Sequence, residues 1–219
     1  VSNHIDDQDY EISFVVGSIF TFTPEEDRKA FEEEREWVSE LQDNLRESGV
    51  VVDLLANPGT TIWEGGVKSY GDLYRLRQVA AYIENGQDIT PLLSTKVTED
   101  EDVDPLLARI FSDELTTQFP HLIKHQGDSG YYLPVDFADP IWIVGEDYDM
   151  DELIDQDIED EEEIFAFGSS TALQRELHQL SMILNQMRVP ARHPVMRCLE
   201  AFREAVSISV QNDLPLIIW

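Results

Sequence analysis

The chain has 219 residues, of which 45 are Asp or Glu and only 15 are Lys or Arg, for a formal charge of −30. A hydrophobic content of 42%, with 10 Phe, 7 Tyr and 4 Trp, is too rich for a wholly disordered acidic chain, and the length suits one domain. No apolar run approaches the roughly 18–20 residues of a membrane span, residues 1–11 lack the basic start and apolar stretch of a secretory leader, and the single cysteine, Cys198, rules out an intrachain disulfide and any CxxC motif.

These features predict a soluble, cytoplasmic, folded protein with a flexible N-terminus over residues 1–9. Tyr10–Phe22 is rich in strand formers, and its alternation slips near Gly17-Ser18, as a bulge would cause. Thr23-Pro24-Glu25-Glu26 reads as a helix start with Thr23 as N-cap. The helix should run to Arg46–Glu47, with Phe31, Trp37, Val38, Leu41 and Leu45 on one face and Ser48-Gly49 ending it. Val50–Ala56 has the pattern of a buried strand closed by Asn57-Pro58-Gly59, and Thr60–Trp63 that of a short strand before a Gly65-Gly66 turn.

Tyr70–Glu84 carries Leu73, Leu76, Val79, Ala80 and Ile83 at helical spacing, capped by Asn85-Gly86. An acidic loop, Thr98–Asp104, precedes two short helices over Pro105–Phe111 and Asp113–His125, the second interrupted at Phe119-Pro120. Gly130–Phe137 and Ile141–Val144 are the next strands. Glu146–Glu163 follows as a loop or insertion with 12 acids in 18 residues. Ser170–Met187 and Pro194–Val210 are amphipathic helices joined at Pro190–His193, an αα-hairpin. The last stretch, Leu214–Trp219, is nearly all apolar and reads as a closing strand; its alternative is a homo-oligomer contact, since a free apolar tail is a sticky patch. The whole is a single α+β (or mixed α/β) domain over residues 10–219, with a mixed or antiparallel sheet and about five helices.

The charge is unevenly spread. Residues 1–50 carry a net −10, residues 51–95 carry −2, residues 96–167 carry −19, and residues 168–219 carry +1. A field this negative repels nucleic acid, anionic lipid and phosphorylated ligands, and steers basic partners inward. The unevenness favours an acidic segment serving a partner over the uniform acidity of a protein adapted to salt.

Three chemical sites are candidates. Asp147, Asp149 and Asp151 open like a calcium loop, but Glu152 and Ile158 replace the glycine and the bidentate glutamate of an EF-hand, which leaves at most a loose Ca²⁺ or Mg²⁺ site. His121 and His125 would share one helix face and could hold zinc with Asp128, although the glutamate of a hydrolase motif is missing. Around Gly130–Phe137, one of Tyr131 and Tyr132 must face the core, while Asp136 and Trp142 could form a recognition surface. Gly-rich phosphate loops and GxSxG nucleophile motifs are absent, and Cys198 lies in an apolar helix pattern as a buried thiol.

The leading expectation is a non-enzymatic acidic interaction protein that takes a basic protein partner, working as an immunity protein or a nucleic-acid mimic does. Asp155, Asp157, Glu159, Glu161, Glu162 and Glu163, with Asp136 and Trp142, are its expected contact residues. A metal-dependent enzyme or metal-binding domain and a self-associating structural subunit are the alternatives.

Overall fold

The computed structural model describes residues 10–95, 103–125, 129–144 and 164–219. The strands are β1 (Ile12–Gly17), β2 (Thr61–Val67), β3 (Gly130–Leu133), β4 (Ile141–Val144), β5 (Ile164–Ser169) and β6 (Leu216–Ile218). The helices are α1 (Arg28–Glu47), α2 (Tyr70–Glu84), α3 (Thr90–Ser94), α4 (Pro105–Phe111), α5 (Pro120–Ile123), α6 (Ser170–Gln186) and α7 (Pro194–Asn212). All six strands form one mixed sheet in the order β2-β1-β6-β3-β5-β4, in which only β3 and β5 run parallel. The fold is therefore α+β, and α6 and α7 pair as the expected hairpin.

The sheet divides the apolar interior in two. On one face Ile12, Phe14, Val16, Tyr132, Leu216 and Ile218 meet α2, α4, α5, α6 and α7, with the rings of Phe14 and Phe202 4.5 Å apart. On the other, Leu133, Ile143 and Phe167 meet Val38, Leu41 and Leu45 of α1. The period-two alternation of β1 is thus read out directly, and its slip is real: the register shifts between Val16 and Gly17.

Several expected elements are corrected. Thr23 does not cap α1; Asp27 does, its carboxylate accepting the Lys29 and Ala30 N–H groups. Thr23 instead closes a local turn with Glu26, which accepts both its N–H and its hydroxyl. Val50–Ala56 is irregular rather than a strand. Val50 and Leu54 are buried against α1, but Val51 is exposed, and the Leu54 N–H is satisfied by the Gln42 side chain instead of a neighbouring strand. Gly65 and Gly66 lie inside β2, not in a turn. A Cβ at either would strike the Trp63 ring or the Ile12 carbonyl, so the pair lets large rings lie against the strand. The helix expected over Asp113–His125 shrinks to the single turn α5, and the strand expected to reach Phe137 stops at Leu133, before Pro134.

The C-terminal segment is core. β6 lies between β1 and β3, with Leu214, Leu216, Ile217 and Ile218 all buried. This corrects the alternative of a free contact at Leu214–Trp219: both edges of β6 are already paired, and only Trp219 is exposed.

Beneath the hairpin, Glu176 of α6 does unusual work for a carboxylate that is 6% exposed. Its two oxygens accept the His121 and Leu122 N–H groups at 3.1 and 2.9 Å, capping α5 where Phe119 offers no side-chain cap. Burial outweighs these bonds and pushes its carboxyl up to about 8.

Two predictions follow from this packing. Deleting Leu214–Trp219 removes five buried residues, of which the four Leu and Ile side chains are worth roughly 1.5–3 kcal/mol each, against a total stability on the order of 5–15 kcal/mol. The truncated chain should be insoluble or unfolded by circular dichroism; a soluble, folded product would contradict a central β6. The second concerns pH. Glu176 stays protonated in the fold up to about 8 but ionises near its ordinary 4.5 when unfolded, so its contribution is lost as pH rises between those values. Buried His121 and His125 are held below their ordinary 6.5, so stability is lost as pH falls below that value. Denaturant unfolding should show greatest stability near pH 6.5, and E176Q should flatten the fall above pH 6.5 and steepen the rise between 4.5 and 6.5.

Candidate partner-binding surface

Helix α1 sorts its charges by face. Phe31, Trp37, Val38, Leu41 and Leu45 turn toward the sheet, and the Trp37 ring meets Phe165 edge-on at 5.5 Å. Glu34 folds back, its carboxylate accepting the Thr21 and Phe22 N–H groups at 2.7 and 3.1 Å and so tying the incoming chain to the helix. The outer face carries Glu33, Glu36, Glu40, Asp43 and Glu47, all exposed. Their spacing alternates three and four residues, which places them in one line down the helix. At about 1.5 Å per residue the line is roughly 21 Å long.

Local bases compensate only part of it. Arg28 and Arg35 reach Glu32, Lys29 reaches Glu33, and Arg46 reaches Asp43. These pairs are exposed and hold their partners weakly. Glu36, Glu40 and Glu47 make no ion pair among the described residues. The sequence contained this line as a three-four alternation of acids opposite the apolar face, a signal submerged in the general abundance of Asp and Glu.

The expected contact residues divide. Asp155, Asp157, Glu159, Glu161, Glu162 and Glu163 lie outside the described residues, but their attachment is defined: Val144 and Ile164, which bound residues 145–163, are register partners on β4 and β5. Phe165, next to Ile164, is the residue that Trp37 of α1 touches, so the acidic helix and the ends of the acidic connection share one region of the surface. Trp142 is 46% exposed on β4, the edge strand. Asp136 is exposed but engaged: Arg175 of α6 clamps it with Nη1 and Nη2 at 2.9 and 2.7 Å, and these bonds hold its carboxyl below the usual carboxylate range.

The histidines do not share a helix face, because α5 ends at Ile123. Both rings are buried. His121 accepts the Ser169 N–H at Nδ1 and donates from Nε2 to the Phe137 carbonyl, each at 3.0 Å. His125 bonds the Tyr131 carbonyl through Nε2 and stacks on Tyr132, with centroids 4.0 Å apart. Burial lowers both, His125 to about 3. Asp128, Asp147, Asp149 and Asp151 lie outside the described residues, and the described residues contain no group of three or more His, Cys, Asp or Glu that could hold a metal ion. Of the two tyrosines, Tyr132 is the core residue and Tyr131 lies over Phe167. Cys198 is buried as expected, which pushes its thiol up. No helix among the described residues is long and apolar enough to cross a membrane.

The described residues thus form an α+β protein whose single sheet carries, on a well-packed outer helix, a line of exposed carboxylates. Residues 10–216 match a family model described as Putative DNA-mimic protein, and the chain belongs to that family. No curated protein and no solved structure matches it.

The line of like charges carries a stability cost that can be measured. Like charges three or four apart on a helix cost about 0.2–0.5 kcal/mol per pair. The triple variant E36Q/E40Q/E47Q should therefore melt about 2–4 °C above the parent in low salt. The gap should close near 1 M salt, where the screening length is about 3 Å. A variant that melts lower at every salt concentration would mean these carboxylates bond within the fold.

Proposed function

We propose that this protein is a non-enzymatic inhibitor that occupies the DNA-binding surface of a basic protein. The observation that carries this reading is the rigid line Glu33, Glu36, Glu40, Asp43 and Glu47. One strand of DNA presents a phosphate about every 3.4 Å of helix axis, and the line presents a carboxylate about every 5 Å. It therefore offers roughly two-thirds of that linear charge, on a scaffold whose shape is fixed before binding. Pre-organisation spares the partner the ordering cost that a flexible acidic tail would impose. The connection between Val144 and Ile164, which carries Asp155, Asp157, Glu159 and Glu161–Glu163, would supply further charge, and Trp142, exposed on β4, a separate apolar contact. The partner's lysines and arginines would exchange phosphate for carboxylate, so DNA and this protein compete. Association should be fast and should weaken steeply with salt. We place this activity in the cytoplasm, where a DNA-binding target is accessible.

The test is competitive capture. The full chain, immobilised, is exposed to a nuclease-treated extract of its source cells, and bound proteins are eluted with salt and identified. The expected eluate is enriched in DNA-binding proteins that a short duplex releases at low salt. The variant E33Q/E36Q/E40Q/D43N/E47Q should capture at least about tenfold less of them without any fall in its unfolding midpoint, and neutralising Asp155, Asp157, Glu159 and Glu161–Glu163 should reduce capture separately. Undiminished capture by both variants, or captured proteins that duplex DNA cannot displace, would remove the proposal.

A further inference from the structure

On the face of the sheet opposite α1, the starts of α2 and α7 enclose with α3 a cleft of about 450 Å³. Leu92, Leu93 and Val195 form its apolar side, and Asp72, Arg75 and Arg197 its charged side. Arg75 is 6% exposed. Its Nη1 donates to Gln78 Oε1 at 2.7 Å, its Nη2 reaches the Thr95 carbonyl and hydroxyl only at 3.5 and 3.4 Å, and its Nε has no partner. Every one of these acceptors is neutral, and no described carboxylate forms an ion pair with it. The carboxylate of this network, Asp104, is reached only through the Gln78 amide and is occupied by Tyr82 and the first N–H groups of α4. A buried guanidinium with no counter-charge among the described residues is costly.

The surroundings are consistent with an anion. Arg197 is exposed on the same wall. The positive ends of two long helices, α2 and α7, border the cleft. Their leading N–H groups are already used, Tyr70 by Glu11, Gly71 by Ser69 and Val195 by His193, so these dipoles bias the charge while the guanidiniums supply the donors. The cleft is lined from the two least acidic parts of the sequence, residues 51–95, which carry a net −2, and residues 168–219, which carry +1. Over a screening length of about 8 Å, nearby arginines outweigh the distant acidic face. This narrows the expectation that the whole molecule repels phosphorylated ligands.

We propose that this cleft binds the phosphate group of a small phosphomonoester, with Arg75 and Arg197 as its ligands and the leucine side receiving the carbon body. Its volume lies within the range of small-molecule pockets, about 300–1,000 Å³. Asp72, which lies beside Arg197 and His193, opposes the incoming anion and sets how tightly it is held. This site is independent of the partner-binding reading.

The experiment uses the full chain at pH 7 and constant ionic strength, replacing chloride with inorganic phosphate or with glycerol 3-phosphate and following unfolding midpoint and heat of binding. Both anions should raise the midpoint saturably; tighter binding of the ester identifies a phosphomonoester, and equal binding identifies free phosphate as the ligand. R197Q should weaken binding about tenfold, the loss expected for one charged hydrogen-bond donor. D72N should strengthen it severalfold. R75M should abolish it, and should R75M fail to fold, the opposite signs of R197Q and D72N still decide the matter. Midpoints identical to those in chloride, or affinities that neither R197Q nor D72N moves, would overturn the proposal; the guanidinium would then take its counter-charge from the chain's own acids.

Discussion

The pairing of β6 with both β1 and β3 holds the rest of the molecule together. The sheet is built from two groups that share no other strand pairing: β2 and β1 from the first third of the chain, and β3, β5 and β4 from residues 130–169. Three residues, Leu216–Ile218, join them. Without that strand the sheet would be two half-sheets, two and three strands wide and each marginal in water, with α7 over β1 and β2 and α6 over β3 and β5. The layout of the surface depends on this closure, because the distance between the acidic helix and the opposite cleft is set by the sheet between them.

The second constraint is charge. A chain at −30 must keep its carboxylates in water while burying two apolar clusters, and the sheet accomplishes this by separating them. Helix α1, with seven acids between Arg28 and Glu47, spends only Glu34 on local structure and leaves the others on the outside. The neutral C-terminal quarter covers the opposite face, where dense packing around Phe202, Leu177 and Leu180 tolerates little charge. Glu176 is buried there in its protonated form, held by two N–H groups at a helix start that has no cap of its own. Acidity and stability are thereby assigned to different layers.

Much of this was legible in the residues themselves. α2 begins and ends where Ser69 and Asn85-Gly86 punctuate its pattern, β4 follows Asp139-Pro140, and the hairpin turns where Pro190–His193 interrupts two clean amphipathic stretches. The failures have physical causes. Val50–Ala56 is apolar because α1 covers it, and burial by a helix leaves the same imprint as burial in a sheet. β5, Ile164–Ser169, was unread because it emerges from the acidic run and, being covered on both faces, shows no alternation. Glycines inside β2 mimicked a turn because their role is steric. His121 and His125 have a ligand-like spacing, but Pro120 and the early end of α5 turn both rings into the core, where backbone groups hold them. The acidic line on α1 was present in the spacing, yet burial alone showed which acids were turned outward.

The register pairing of Val144 with Ile164 also bears on how such a protein can change. A connection whose two ends are already neighbours in a sheet places almost no demand on its own length: doubling a flexible loop costs only about 0.6 kcal/mol in closure entropy. Residues 145–163 can therefore gain, lose or rearrange acids without disturbing the strands that carry them. The same scaffold can acquire a different complement of charge while α1 stays fixed. Surface charge and foldability are in this sense separately adjustable, and divergence among relatives is free to concentrate at one corner of the sheet.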